Sequence, residues 1–265
     1  MIEEKKKKAF QGKVLSWYEA NKRDLPWRKT TDPYQILISE VMLQQTQVDR
    51  VIPYYERWLK ALPDFESLAK VDKLTLLKLW SGLGYNNRAL RLQKLAQAVI
   101  GKYKGQFPED EQELLSLPGI GPYTASAVLA FVFNKETAVI DTNIRRVLIH
   151  ELNLKEDTSQ EELKRIALQC VPEGKSCIWH NALMDYGALE KTARKTGIQS
   201  LSKQPEFEGS ERKVRGEIVK YLLEKKEAAI AEIKEKYNHE NFEKIIEKME
   251  KDGLIRKGAS KISIR

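Results

Sequence analysis

Apolar residues recur three and four positions apart along most of the chain, and strand-like alternation is nearly absent until the last dozen residues. The pattern predicts an all-α protein with a late exception. Asp32-Pro33 reads as an N-cap followed by proline at the first helical position. It opens a helix through "YQILISEVMLQ", with Ile36, Leu37, Val41 and Leu43 on the buried stripe. Pro53 and Pro63 bracket a second helix, "YYERWLKAL". Further helices fit "KLTLLKLWSGL", "NRALRLQKLAQAVIGKY", "DEQELLSL", "PYTASAVLAFVF", "TNIRRVLIHEL", "SQEELKRIALQCV" and "CIWHNALMDYGALEK".

From 192 to 209 the chain turns polar, with two glycines and a proline, and a boundary is expected there. The expected parts are a helical domain over 1–191, a linker over 192–209 and a small domain over 210–265. In the last part "SERKVRGEIVKYLLEKK", "EAAIAEIKEKY" and "HENFEKIIEKMEKDG" read as three amphipathic helices, and "LIRKGASKISIR" as a two-stranded hairpin turning at Lys257 to Ser260. This is the plan of a winged helix-turn-helix, which serves either DNA binding or protein interaction.

Composition narrows the picture. Of 265 residues 42% are apolar, enough for packed cores, and no apolar run approaches the ~18 residues of a membrane span. "MIEEKKKKAF" lacks the apolar stretch of a signal peptide, so a soluble cytoplasmic, nucleoid-associated protein is expected, with no membrane partner. The Lys5 to Lys8 run reads as a frayed, solvated first turn. The two cysteines, Cys170 and Cys177, are expected to be free thiols, and with three scattered histidines they offer no metal-ligand spacing. A formal charge of +8 points to a polyanion as partner, although basic proteins without one are common.

The chemistry begins at "LPGIGPYTASAV". Pro118 stops one helix, Gly119 and Gly121 permit backbone angles closed to other residues, and a new helix starts at Pro122. Its first N–H groups can bind a phosphate oxygen, and the bare glycines let a nucleic-acid strand come close. An ordinary αα-hairpin is the plain alternative. Asp141, after "AVI", could be the N-cap of "TNIRRVL", and Glu40, between "ILIS" and "VML", reads on these residues alone as an exposed helix position or, if buried by its apolar flanks, as a carboxyl with a raised pKa.

The hairpin followed by "VIDTNIRRVL" resembles the helix-hairpin-helix DNA glycosylase superfamily, and within it the MutY-type adenine glycosylases. "LPWRKTTDPYQILISEVMLQQTQVDRVIPYYERW", "LWSGLGYNNRALRL" and "HNALMDYGAL" match in order and spacing, over roughly residues 13 to 190. The resemblance implies a monofunctional glycosylase of base excision repair that flips adenine out of duplex DNA and hydrolyses its N-glycosidic bond. Glu40 would protonate the base, and Asp141 would stabilise the oxocarbenium-like sugar or trap it covalently until water arrives, a division of labour like that of glycoside hydrolysis. Asn143 would orient the sugar or water. Gln45, Tyr85 and Leu83 would contact the DNA near the mismatch, with Gly119 and Gly121 on its backbone, while Arg23, Trp27, Arg28 and Asp185 would line or support the base pocket. Tyr123 stands where bifunctional relatives carry a Schiff-base lysine, so no lyase step is implied, and its phenol is expected to hydrogen-bond near Asp141.

Three departures qualify the resemblance. The four cysteines that hold an iron-sulfur cluster in most members fall, without gaps, on Lys191, Ile198, Leu201 and Phe207, so no cofactor is expected and a small hydrophobic contact is expected to pin the loop instead. A Nudix-like C-terminal domain, usual in the MutY type, is expected to be absent, since "FEGSERKVRGEIVKYL" resembles instead the short extension of some bacterial relatives; this leaves open whether guanine or 8-oxoguanine is preferred opposite the adenine. Asn86 replaces a second tyrosine. The expected partner is double-stranded DNA with a mismatched or damaged pair, bound by a monomer. Two alternatives stand: a thymine or uracil glycosylase for T·G and U·G mismatches, and a non-catalytic DNA-binding regulator.

Overall fold

In the computed structural model, which describes residues 2–201 and 206–264, helices follow one another along almost the whole chain. They are α1 (Glu4–Asn21), α2 (Pro33–Leu43), α3 (Val48–Ala61), α4 (Phe65–Lys70), α5 (Lys73–Trp80) and α6 (Asn87–Tyr103). The series continues with α7 (Glu111–Ser116), α8 (Pro122–Phe131), α9 (Thr142–Leu152), α10 (Gln160–Gln169), α11 (Ser176–Asp185) and α12 (Ala193–Thr196). The C-terminal segment runs α13 (Glu211–Lys225), β1 (Glu227–Ala229), α14 (Ile230–Lys236), α15 (Phe242–Lys251), β2 (Arg256–Lys257) and β3 (Lys261–Ser263). Residues 202–205 of the expected linker lie outside the described residues.

The chain forms two compact units, each assembled from separate stretches. The first comprises Met1–Glu40, Pro108–Ser116 and Ile120–Lys203, and the second Val41–Phe107, Leu117–Gly119 and Gln204–Arg265. In the first, Phe10 and Val14 of α1 pack with Ile144, Val147 and Leu148 of α9, Leu163 of α10 and Trp179 of α11. Phe10 meets Trp179 edge to face at 5.3 Å. Helix α8 is buried from Thr124 to Phe131. Its "TASAVLA" run carries only small or apolar side chains and no charge, which suits a helix enclosed on every side. Ile36, Ala127, Ala130, Phe131 and Val139 form a second cluster beside it.

In the second unit the Trp58 and Trp80 rings meet edge to face at 5.4 Å among buried leucines of α4 to α6. The C-terminal segment buries Ile218, Leu222, Phe242, Ile245, Ile246, Met249 and Ile262, and Arg215 pairs with Asp252. Its sheet has three strands in the order β1-β3-β2, all antiparallel, with Ala228 and Lys257 both opposite Ile262.

Several expectations needed correction. The hairpin turns where expected, but β1 adds a third strand that three residues between two helices could not announce by alternation. Pro53 lies inside α3 rather than before it. It is exposed, so the carbonyl it leaves unpaired can be hydrated, and the loss of one bond is tolerated. The Lys5 to Lys8 run is helical, not frayed: Lys7 pairs with Glu4 at 2.7 Å, and Lys6 Nζ donates to Leu152 O at 2.7 Å, at the C-terminus of α9 where a cation is favoured. Between Asp185 and Lys191 the helix widens into a π-helical turn, Tyr186–Glu190.

Candidate active site

Asp141 caps α9. Its Oδ1 accepts from Ile144 N–H at 2.7 Å and its Oδ2 from the Asn143 amide at 3.1 Å. One turn on, Arg146 donates to Asn143 Oδ1 at 3.1 Å, which fixes the amide with its N–H₂ toward the carboxylate. The approach of the π-helical turn requires Gly187, where a Cβ would stand 2.8 Å from Asn143 O. Asp141 keeps a solvent-accessible edge, yet the surrounding protein desolvates it and pushes its pKa up. The Ile144 and Asn143 donors and the Arg146 charge oppose that shift and favour the ionised form.

Glu40 projects from α2 and is 7% exposed. Burial first, and the Asp141 charge second, push its pKa up to about 7, against a hydrogen bond with Tyr123 and the charge of Arg28. Tyr123 occupies the second position of α8, and burial with the two carboxylates holds its phenol well above the usual range, so it stays neutral. The phenol bonds Glu40 rather than Asp141, which acts on it through charge alone. Two carboxyl groups thus share one site with different environments: one is protonated near neutrality, the other ringed by donors.

Arg23, Trp27, Arg28 and Asp185 assemble behind this pair. Asp185 is fully buried and binds Arg28 through two nitrogens, at 2.7 and 2.8 Å, and Arg23 Nε at 2.7 Å. Burial alone would raise its pKa, but these partners hold it below the usual range. Trp27 is buried in the 3₁₀ turn Pro26–Arg28. Tyr18, which no local pattern singles out, lies beneath the Arg28 guanidinium at 5.9 Å.

Within the second unit, Gln45 and Tyr85 both have left-handed backbones, at φ 56° and 47°. A bulky side chain rarely adopts that region. A single buried guanidinium holds both loops: Arg88 donates to the carbonyls of Val41 (2.7 Å) and Gln44 (2.8 Å) on one side and Leu83 (3.3 Å) and Gly84 (3.1 Å) on the other. Burial lowers its pKa to about 10, so it remains charged at neutrality. Leu83 itself is buried and offers Arg88 only its carbonyl. Gly119 is left-handed at φ 87°, and a Cβ there would meet Arg91 Cβ at 3.1 Å. Gly121 differs from the expectation: its backbone is extended, at φ −102°, and open space surrounds its missing Cβ. Its glycine leaves room and answers to no backbone constraint.

The family model described as HhH-GPD superfamily base excision DNA repair protein matches residues 38–173. The chain belongs to this superfamily. An adenine DNA glycosylase of Mycolicibacterium smegmatis is 36% identical over 79% of this chain and 78% of its own length. The human adenine DNA glycosylase is 38% identical over 71% of this chain and 37% of its own length, and that of Buchnera aphidicola subsp. Baizongia pistaciae 39% over 68% and 52%. The chain therefore spans about half or less of two of these curated relatives. Among solved structures, a thermostable thymine-DNA glycosylase superposes with a TM-score of 0.67 at 35% identity, over 72% of this chain and 90% of that one. An endonuclease III–DNA covalent intermediate superposes at 0.64 with 23% identity, over 77% and 92%, which bears on the fold alone.

The superfamily's iron-sulfur cluster needs four thiolates, and the residues at the matching positions do not fit it. Lys191 pairs with Glu151 at 3.3 Å, Ile198 is buried, and Leu201 and Phe207 are exposed at 72% and 52%. Polar groups hold the loop instead. Arg146 donates to the carbonyls of Gly187 (3.2 Å) and Ile198 (3.2 Å), and Glu151 gathers Lys13 and Lys191. Cys170 is buried in the core, where burial pushes its thiol up to about 11.

Proposed function

We propose that the chain is a monofunctional adenine DNA glycosylase of base excision repair, removing adenine paired with guanine or 8-oxoguanine from duplex DNA and working without an iron-sulfur cluster. The observation that carries the reading is the Glu40, Tyr123, Asp141 group. Glu40, protonated near neutrality, supplies the proton that lets the base leave neutral. Asp141 holds the compensating negative charge beside the sugar, where positive charge develops. Tyr123 donates to Glu40 and cannot form the Schiff base that strand cleavage would need. Arg28, gripped by Asp185, lies within electrostatic reach of Glu40.

Relatives named adenine DNA glycosylase support the substrate and, with it, DNA as partner. Gly121 and the uncapped N-terminus of α8 suit a phosphate, while Gln45 and Tyr85 suit the space left by an extruded base. The helix, strand, helix, helix, hairpin order supports a winged-helix reading of the C-terminal segment. The acidic and basic residues alternating along α15 favour protein contact over DNA-groove docking for that helix.

A second reading, thymine or uracil removal from T·G or U·G pairs, is favoured by the 35% identity to a thymine-DNA glycosylase. One assay decides between them: duplexes containing A·8-oxoguanine, A·G, T·G or U·G, each followed with and without alkali. Cleavage of the two adenine duplexes, revealed only after alkali, is expected. Cleavage of T·G with both adenine duplexes intact would overturn the substrate, and strand breaks without alkali the monofunctional chemistry. Visible absorbance of an iron-sulfur protein in the purified sample would refute the clusterless reading.

A further inference from the structure

Tyr85 is 37% exposed in a left-handed backbone conformation, so its orientation depends on what grips the ring. Arg88 lies 5.6 Å from the ring centroid. A second guanidinium comes from the C-terminal segment of the same unit: Arg212 of α13 lies 5.4 Å from the Tyr85 centroid and donates to its phenolic oxygen at 2.7 Å. Arg212 also lies 5.2 Å from the ring of Phe207, which is 52% exposed. The turn that joins them is fixed, because Ser210 donates to Phe207 O at 2.7 Å and its own hydroxyl caps α13.

The placement of Arg212 is not explained by helix stability. A cation in the first turn works against the helix dipole, and Arg212 stands at the second position of α13. Its contacts include a row of tyrosine, guanidinium and phenylalanine, in which both aromatic residues are partly exposed. Such a row has the chemistry of a platform for unstacked bases.

We propose that Arg212 is a positioning residue for Tyr85: it sets the angle at which the ring enters the duplex beside the extruded base, which makes the C-terminal segment part of the DNA-reading surface. The inference rests on the base-extruding reading given above.

The test uses the full chain, a duplex with A·8-oxoguanine and a fluorescent 2-aminopurine beside the mismatch, and two readouts: the fluorescence change on binding, and the single-turnover rate of base removal. Arg212→Ala is expected to shrink the fluorescence change and slow excision about tenfold, as loss of one charge-assisted hydrogen bond with its ring contact implies. Tyr85→Phe, which removes only the phenolic acceptor, should fall between wild type and Arg212→Ala. The decisive comparison is the double variant: Arg212→Ala should cost nothing further in the Tyr85→Ser background, with the melting temperature unchanged throughout. Multiplying losses in the double variant, or an Arg212→Ala protein with the full fluorescence change, overturns the proposal. So does a Tyr85→Ser protein that binds with the full change. A wild type that gives the fluorescence change but removes no base overturns the glycosylase reading alone, and the fluorescence comparison still decides Arg212.

Discussion

Replacing Glu40 by glutamine should make the protein more stable at high pH and inactive at every pH. Glu40 has a pKa of about 7 in the fold against 4.5 for the free side chain. Below both values the residue is protonated folded and unfolded, and costs nothing. Between them the folded state holds a proton that the unfolded state releases, so stability falls as pH rises. Above about 7 the full penalty is present. A shift of this size amounts to about 3.4 kcal/mol at alkaline pH and about 0.8 kcal/mol near pH 5. Glutamine keeps the shape and removes the titration. The melting temperature of Glu40→Gln relative to wild type should therefore rise between about pH 5 and about pH 8.5 by the equivalent of about 2.6 kcal/mol, roughly 5 to 10 °C for a chain of this size. Calorimetry at the two pH values measures it directly. An offset identical at both would refute the argument, because a substitution that only repacks the site has no reason to follow pH.

The same titration governs chemistry: single-turnover base removal should fall about tenfold per pH unit above pH 7 as Glu40 loses its proton, and a rate flat to about pH 9 would exclude it as the acid. Asp141→Asn should fold with α9 intact, because asparagine caps helices as well as aspartate, while excision drops roughly a thousandfold and DNA binding survives. Circular dichroism and a binding titration beside the glycosylase assay separate the two effects. Arg88→Lys should cost about 2 to 4 kcal/mol in urea denaturation and weaken mismatch binding, since an ammonium cannot span carbonyls from two loops. Unchanged stability and binding would mean the loops are held by something else.

Helix limits were most legible where the local signals were complete. The 3.6-residue period and flanking polar residues placed α6 at Asn87–Tyr103 and α9 at Thr142–Leu152, and the structure has those limits. Asp32 and Asp141 were recognisable as caps, and each accepts from the backbone three residues on: Asp32 from Gln35 N–H at 2.9 Å, Asp141 from Ile144 N–H. The misses share a cause. Strand β1 exists only because β3 pairs with it, the π-helical turn only because Gly187 lets Asn143 approach, and Pro53 is tolerated only because its side of α3 faces water. Each depends on a neighbour remote in sequence or on solvent, neither of which a local window contains.

The site divides the same way. The apolar flanks of Glu40 allowed a buried carboxyl but fitted an exposed helix position as well, and the resemblance decided between them. Arg88, Arg146 and Arg212 could not be singled out. Each spends at least one donor on a carbonyl or a phenol far along the chain, leaving no period or motif behind, and in sequence each is one more cation among 46 lysines and arginines. Yet all three bear on the proposed machinery: Arg146 orients the amide facing Asp141, Arg88 ties the Gln45 and Tyr85 loops, and Arg212 grips the tyrosine. A formal charge that first pointed only to a polyanion thus conceals a second use of arginine. Its fork of five donors organises irregular backbone where helices end, which a lysine of equal charge could not do.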